Sequence, residues 1–201
     1  MDLEDLKRVN RLWNKIYPYL ALQIAEVCRK DSGVALELGP FSGGISVELV
    51  KRHPGFNITI ADRSSKVLDY LDREIRSLEL SKSITIKKTA FSPLVFEDAE
   101  FDLVISRGVF FFLDENGDLF KEIFRVLKDG GLAFIGGGFG KDTPKELIDE
   151  ISDESRVLND RLGRKRISLA ELEKIIRRTG LVESCRIVEA GGLWIVIDKK
   201  N

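Results

Sequence analysis

Apolar residues recur at helical spacing near the start of the chain: Leu3, Leu6, Val9 and Leu12-Trp13, then Ile16, Leu20, Ile24 and Val27. This spacing predicts one or two helices over residues 2–31, split or kinked at Pro18, whose ring removes a backbone donor. Short apolar runs follow at Val34–Leu38, Ile58–Ala61, Phe101–Ile105 and Leu132–Ile135. Stripes of helical period lie between them: Ile45, Val47, Leu49 and Val50; then Val67, Leu68, Leu71, Ile75 and Leu78; then Phe120, Ile123, Phe124, Val126 and Leu127. Buried-type strands alternating with amphipathic helices predict an α/β fold around a mostly parallel sheet. Ile84–Thr89 differs, because its apolar positions give way to Lys87 and Lys88, as at a half-exposed sheet edge.

Local signals set the expected boundaries. Pro54-Gly55 stops one helix, and Ser64 or Ser65 caps the next. Asp129-Gly130-Gly131 reads as the end of the helix through Leu127, glycine being suited to a left-handed cap. Thr143-Pro144-Lys145-Glu146 reads as a helix start with Thr143 as cap, and the run to Leu162-Gly163 as a second helix after it. Ser168-Leu169-Ala170-Glu171 repeats the capping-box pattern and opens a helix that ends at Gly180. Val182–Val188 and Leu193–Ile197, joined across Gly191-Gly192, predict a terminal β-hairpin.

A hydrophobic fraction of 43% over 201 residues supports one domain with a real core. The net charge of −1 argues against a dominant nucleic-acid-binding field. The lone histidine, His53, stands at a helix end, and Cys28 and Cys185 lie far apart, so no zinc site is expected and no metal is assigned. The start Met1–Asp5 is acidic with no apolar stretch behind it, and no run reaches the ~18 apolar residues that span a bilayer. The expectation is a soluble cytoplasmic protein without a membrane partner. Oligomeric state is left open.

The chemistry concentrates where the first strand, ending Glu37-Leu38-Gly39, runs into a Pro/Ser/Gly loop and then a helix. Such a turn lets backbone approach a ligand and points free N–H groups of the helix start at it, although tight turns also need glycine for steric reasons alone. Asp62 ends the second strand at roughly the ~20-residue interval expected of a ribose-binding acid.

Glu37-Leu38-Gly39-Pro40-Phe41-Ser42-Gly43 resembles the first motif of class I S-adenosylmethionine-dependent methyltransferases, an acid followed by alternating glycines. Asp62-Arg63-Ser64 is similar to their second motif. Phe101 to Arg107 resembles their fourth strand, and Phe124-Arg125-Val126-Leu127-Lys128-Asp129-Gly130-Gly131-Leu132 the segment entering their fifth. The resemblance runs in order from about Val34 to the C-terminus, and the order rather than any one motif makes it specific. Phe41 departs from the pattern at the middle glycine position, where a Cβ is allowed only if φ stays negative.

The resemblance implies a Rossmann-like seven-stranded, mostly parallel sheet with a C-terminal antiparallel hairpin and helices on both faces. It implies an N-terminal helical cap over 1–31 and an S-adenosylmethionine-binding domain over 32–201, with a helical insertion at about 141–167. The implied cofactor is S-adenosyl-L-methionine. Glu37, Gly39, Pro40, Phe41, Ser42 and Gly43 would hold it in the first turn, Asp62 and Arg63 at the ribose, and Ala90 and Phe91 beside the adenine. Ser106 and Arg107 would lie near the methyl-donating end, and Tyr17 over the methionine end. Plainer readings stand beside these. Trp13, Tyr17 and Tyr19 also suit packing against the sheet, Phe91 a loop anchor, and Arg107 a salt bridge or a clamp on a substrate anion. Gly136–Gly140 reads as a mobile connector or as backbone passing close to a ligand, and Arg161, Arg164, Lys165 and Arg166 as a solvated face or a contact for an anionic substrate or RNA.

The implied reaction is methyl transfer to a small-molecule acceptor, with RNA or protein as alternatives; no catalytic residue is assigned. Ser106-Arg107-Gly108 stands where amino-methylating nucleic-acid enzymes carry Asn-Pro-Pro-Tyr. A nicotinamide-dependent oxidoreductase and a non-catalytic cofactor-binding subunit are the competing classes. Phe41 breaks the Gly-x-Gly-x-x-Gly spacing of the first, and the hairpin tail is foreign to it.

Overall fold

Side chains of the central strands divide between two apolar layers. In β1 (Ser32–Leu38) Ala35 packs into one layer, and Leu36 and Leu38 into the other. β4 (Phe101–Arg107) sends Leu103 and Ile105 to the first layer and Val104 to the second. Both faces are therefore covered, which is why these strands read as unbroken apolar runs. With β2 (Gly55–Asp62), β3 (Ile84–Lys88), β5 (Leu127–Gly138), β6 (Cys185–Val188) and β7 (Gly192–Lys199) they form one sheet in the order β3-β2-β1-β4-β5-β7-β6. β7 runs antiparallel to β5 and β6, and the other neighbours are parallel. Strand order reverses between β1 and β4, and the crevice beyond their carboxyl ends is where open α/β sheets take ligands.

The computed structural model describes residues 2–200. Met1 and Asn201, the outer limits of the expected domain boundaries, lie outside the described residues. One face of the sheet is covered by α1 (Leu3–Leu12), α2 (Tyr17–Cys28), α3 (Gly44–Arg52), α4 (Ser65–Ser77) and α6 (Lys145–Arg161). The other carries α5 (Asp118–Val126) and α7 (Leu169–Thr179). Pro18 falls in the first turn of α2, where its missing N–H has no partner to lose, and a 3₁₀ turn at Trp13–Lys15 separates α1 from α2. Ser64 caps α4, and the Ser168–Glu171 capping box forms. No helix among the described residues is long and apolar enough to cross a membrane.

Four local expectations give way. α5 ends at Val126, and Gly130 (φ 72) sits instead at the irregularity where the β4–β5 register shifts, shaping the strand entry rather than capping a helix. The Thr143 hydroxyl donates to the Phe139 carbonyl, and Pro144 takes the cap position of α6 without a side-chain bond. Residues 145–161 form one helix, not two, since neither glycine nor proline interrupts them before Gly163. Val182–Ser184 is a 3₁₀ turn, so β6 starts at Cys185.

The glycine run is an ordered part of the sheet. Gly136 and Gly138 lie in β5 opposite Trp194 and Gly192, at φ 151 and 154. A side-chain carbon on Gly136 would stand 2.4 Å from the Leu193 carbonyl oxygen, and one on Gly138 2.3 Å from that of Gly191. The close approach that requires glycine here is to the β7 hairpin.

Candidate active site

Glu37, near the end of β1, is fully buried. Its Oε2 accepts the N–H groups of Gly43 at 2.9 Å and Ser46 at 3.2 Å, and the Ser46 hydroxyl. The strand end is thereby tied to the first turn of α3, whose N–H groups have no partners within the helix. Oε1 has no hydrogen-bond partner among the described residues. Burial pushes the carboxyl pKa up, against the opposing pull of Ser46, Gly43 and the Arg107 charge. A buried acceptor in this state is costly until a donor reaches it, so a ligand ammonium or hydroxyl fits the position.

Gly39 leaves β1 at φ 102 and begins the turn, which the Ser42 N–H to Gly39 carbonyl bond closes at 3.3 Å. The Pro40 carbonyl accepts from Asn10 of α1 at 3.3 Å. Phe41 keeps the negative φ that its Cβ demands and packs 4.8 Å from the Phe111 ring. The Ser42 hydroxyl is buried without a partner.

Asp62 closes β2 beside this turn. It is buried, and its Oδ1 accepts the Ser64 N–H at 2.7 Å. Burial raises its pKa, while the Ser64 N–H and the Arg63 charge pull it down. The Arg63 guanidinium lies 5.8 Å from the rings of both Phe91 and Phe112, which are themselves 4.6 Å apart. Phe112 reaches inward, its Cε2 standing 3.3 Å from where a side-chain carbon on Gly39 would be. Ala90 is exposed and Phe91 half-buried, so this pair forms the outer edge of the group.

At the end of β4 the Ser106 hydroxyl donates to the Leu38 carbonyl at 3.0 Å, pinning β4 to β1. Arg107 follows, 5% exposed. Its guanidinium sits 4.1 Å from the Trp13 ring, 4.9 Å from Phe41 and 5.6 Å from Tyr17. Its one side-chain hydrogen bond among the described residues goes to Tyr17 Oη at 3.3 Å, and Nε has no partner. The salt-bridge reading of Arg107 therefore gives way to an aromatic box. Burial raises the Tyr17 pKa, with Arg107 opposing.

A cavity of about 510 Å³ opens beside Arg107. Trp13 and Phe139 stack in its wall at 4.9 Å, and Phe110 and Phe111 line it from the turn after β4. The 3₁₀ turn after α1 and helix α6 border it, joined by the Trp13 Nε1 to Ser155 Oγ bond at 2.9 Å and the Lys15–Glu150 pair at 2.6 Å. Phe139 and Ser155 escaped the sequence reading. The only signal was a single aromatic in a glycine run, and its partner lies 126 positions away, at Trp13. Of the expected residues, Tyr17, Glu37, the Gly39–Gly43 turn, Asp62, Arg63, Ser106 and Arg107 gather at the ends of β1, β2 and β4. No group of three or more His, Cys, Asp or Glu able to hold a metal occurs among the described residues.

A family model described as "Methyltransferase domain" matches residues 36–135. The chain is similar to a solved structure from Methanococcus maripaludis, a candidate S-adenosyl-L-methionine-dependent methyltransferase. It shares 31% identity and a TM-score of 0.82 with it, over 98% of this chain and 92% of that one. It is 32% identical over 103 residues to a demethylmenaquinone methyltransferase of Lactobacillus johnsonii, covering 51% of this chain but only 42% of that protein's length. It is 28% identical over 184 residues to a malonyl-[acyl-carrier protein] O-methyltransferase of Ilyobacter polytropus, covering 86% of this chain and 68% of that protein.

Proposed function

The chain belongs to the S-adenosyl-L-methionine-dependent methyltransferases, and from that premise we propose that it methylates a small-molecule acceptor seated in the cavity beside Arg107. The observation that carries this reading is the pairing of two compartments. Buried Glu37 and Asp62 flank the Gly39–Gly43 turn, and the aromatic cavity opens beside them at the end of β4. When bound, the sulfonium cofactor supplies an electrophilic methyl group. Glu37 Oε1 would accept from its ammonium, and the Asp62 carboxylate from its ribose hydroxyls. Gly39, Pro40, Phe41, Ser42 and Gly43 would give it a close backbone wall, with Arg63, Ala90 and Phe91 around the base. Ser106 fixes the spacing of β1 and β4, and Tyr17 and Arg107 bound the compartment on the acceptor side.

No carboxylate or histidine lines the cavity, so the chain offers no general base there. Orientation supplies the catalysis in this reading: well-placed reactants can lower a barrier by roughly 7–11 kcal/mol, whereas a base adds only about 10²–10⁴-fold. The acceptor atom would then arrive already deprotonated or be intrinsically nucleophilic. Residues 1–31 would act as a cap and 141–167 as an insertion, together roofing the cavity. A cytoplasmic setting belongs to the same reading, supported by the two free cysteines, Cys28 and Cys185.

Calorimetry with S-adenosylhomocysteine and with NAD tests the cofactor. Binding of the first and not the second is expected, and the reverse overturns the reading. Transfer of a labelled methyl group to a panel of small molecules, against RNA and protein fractions, tests the acceptor class.

A further inference from the structure

Building on the methyl-transfer reading, we infer that the acceptor carries an acidic group on a flat or apolar body. Among the described residues five cations line the cavity, Arg107, Arg156, Arg164, Lys165 and Arg166, and no carboxylate does. The chain as a whole has a net charge of −1, so this concentration is local. Asp153 pairs with Arg156, and Asp160 with Arg164 and Arg166, but neither acid belongs to the cavity wall. Each of these three guanidinium groups is thus paired with a carboxylate that lies outside the wall. The Nε atoms of Arg107 and Arg164 are buried without partners. An unmatched buried guanidinium donor carries a desolvation cost that an oxyanion offsets through charge-assisted bonds.

The rest of the wall selects the body of the ligand. The parallel Trp13–Phe139 stack and the neighbouring phenylalanines offer flat apolar surface. A concave space of about 510 Å³ has the size of a small-molecule site. An RNA backbone would call for a continuous exposed basic stripe; here the cations run from exposed Arg156 and Arg166 inward through Arg164 to buried Arg107.

The test titrates the full chain, loaded with S-adenosylhomocysteine, with 2-naphthoate and with its uncharged counterpart 2-naphthamide. Binding of the acid about tenfold or more tighter than the amide is expected, the scale of charged hydrogen bonds. Arg164→Gln should narrow that ratio to about threefold, and so should Arg166→Gln, whose more exposed site spares the fold. S-adenosylhomocysteine affinity should stay unchanged in both. Equal binding of acid and amide, or binding of neither, overturns the inference, as does binding of oligouridine in place of naphthoate. Should naphthoate keep its preference while S-adenosylhomocysteine fails to bind, the acid-binding cavity stands and the methyltransferase reading falls.

Discussion

β4 carries a charged residue at each end, and the molecule treats the two in opposite ways. Asp102, at its start, accepts from Lys128 at 2.8 Å, Lys30 at 3.0 Å and the Val34 N–H at 3.0 Å. Partial burial pushes its pKa up, yet the bonds from Lys128, Val34 and Lys30 prevail and hold it down to about 2. Arg107, at the far end, is more deeply buried and has an aromatic box where Asp102 has ionic partners. Glu37 repeats the contrast on β1 with a buried oxygen that has no hydrogen-bond partner among the described residues. Charge is saturated where the strands begin and left incomplete where they end. The beginning holds the sheet together; the end leaves buried polar groups unmatched, at some cost to stability, as the proposed ligand site requires.

The comparison can be broken most sharply at Asp62. Its replacement by Ala should weaken S-adenosylhomocysteine binding by about 100-fold, ~2.7 kcal/mol, in calorimetry, with little movement of the urea midpoint. Unchanged affinity would remove Asp62 from the site. Asp102→Ala should do the reverse, lowering unfolding stability by about 2 kcal/mol while leaving that affinity alone. Because the folded pKa of Asp102 is lowered, its contribution is present above the unfolded value of 3.8 and is lost as pH falls through about 2. Urea titrations of wild type and variant should therefore converge across that window.

A smaller effect of the opposite sign belongs to Arg107. Arg107→Met keeps bulk and removes a desolvated charge, so stability should hold or rise by up to about 1 kcal/mol as naphthoate binding falls. A clear loss of stability would mean that the aromatic box is structural. Ser106→Ala should be the mildest, costing about 0.5–1 kcal/mol through the lost bond to Leu38, with a modest fall in methyl transfer.

Local and short-range features were legible because their causes are local. The two-faced strands, the Ser168 capping box, the Gly39 turn and the terminal hairpin each follow from residues adjacent in sequence. The fold order could be read from the succession of motifs. What escaped depends on distant partners. Trp13 stacks on Phe139, Asp102 collects lysines from both sides, and the glycine run owes its composition to a hairpin more than fifty residues further on. The failed reading of Asp129-Gly130-Gly131 has the same origin, since a glycine with positive φ serves a helix end and a strand irregularity equally well, and pairing with β4 decides between them. The sequence places Arg107 at the site, yet only the fold reveals that it has no ionic partner among the described residues.

The turn after β4 has one consequence for how ligands come and go. Phe110 and Phe111 border the cavity beside Arg107, while Phe112, the next residue, leans over Gly39 on the side of the proposed cofactor site. The three rings share one short backbone segment, so a shift of that segment moves them together. In the proposed reading, a backbone shift that moved Phe112 for one guest would redraw the wall met by the other, and the effect would be felt equally in both directions. Occupancy of the two compartments would then be thermodynamically coupled through a stretch of three phenylalanines.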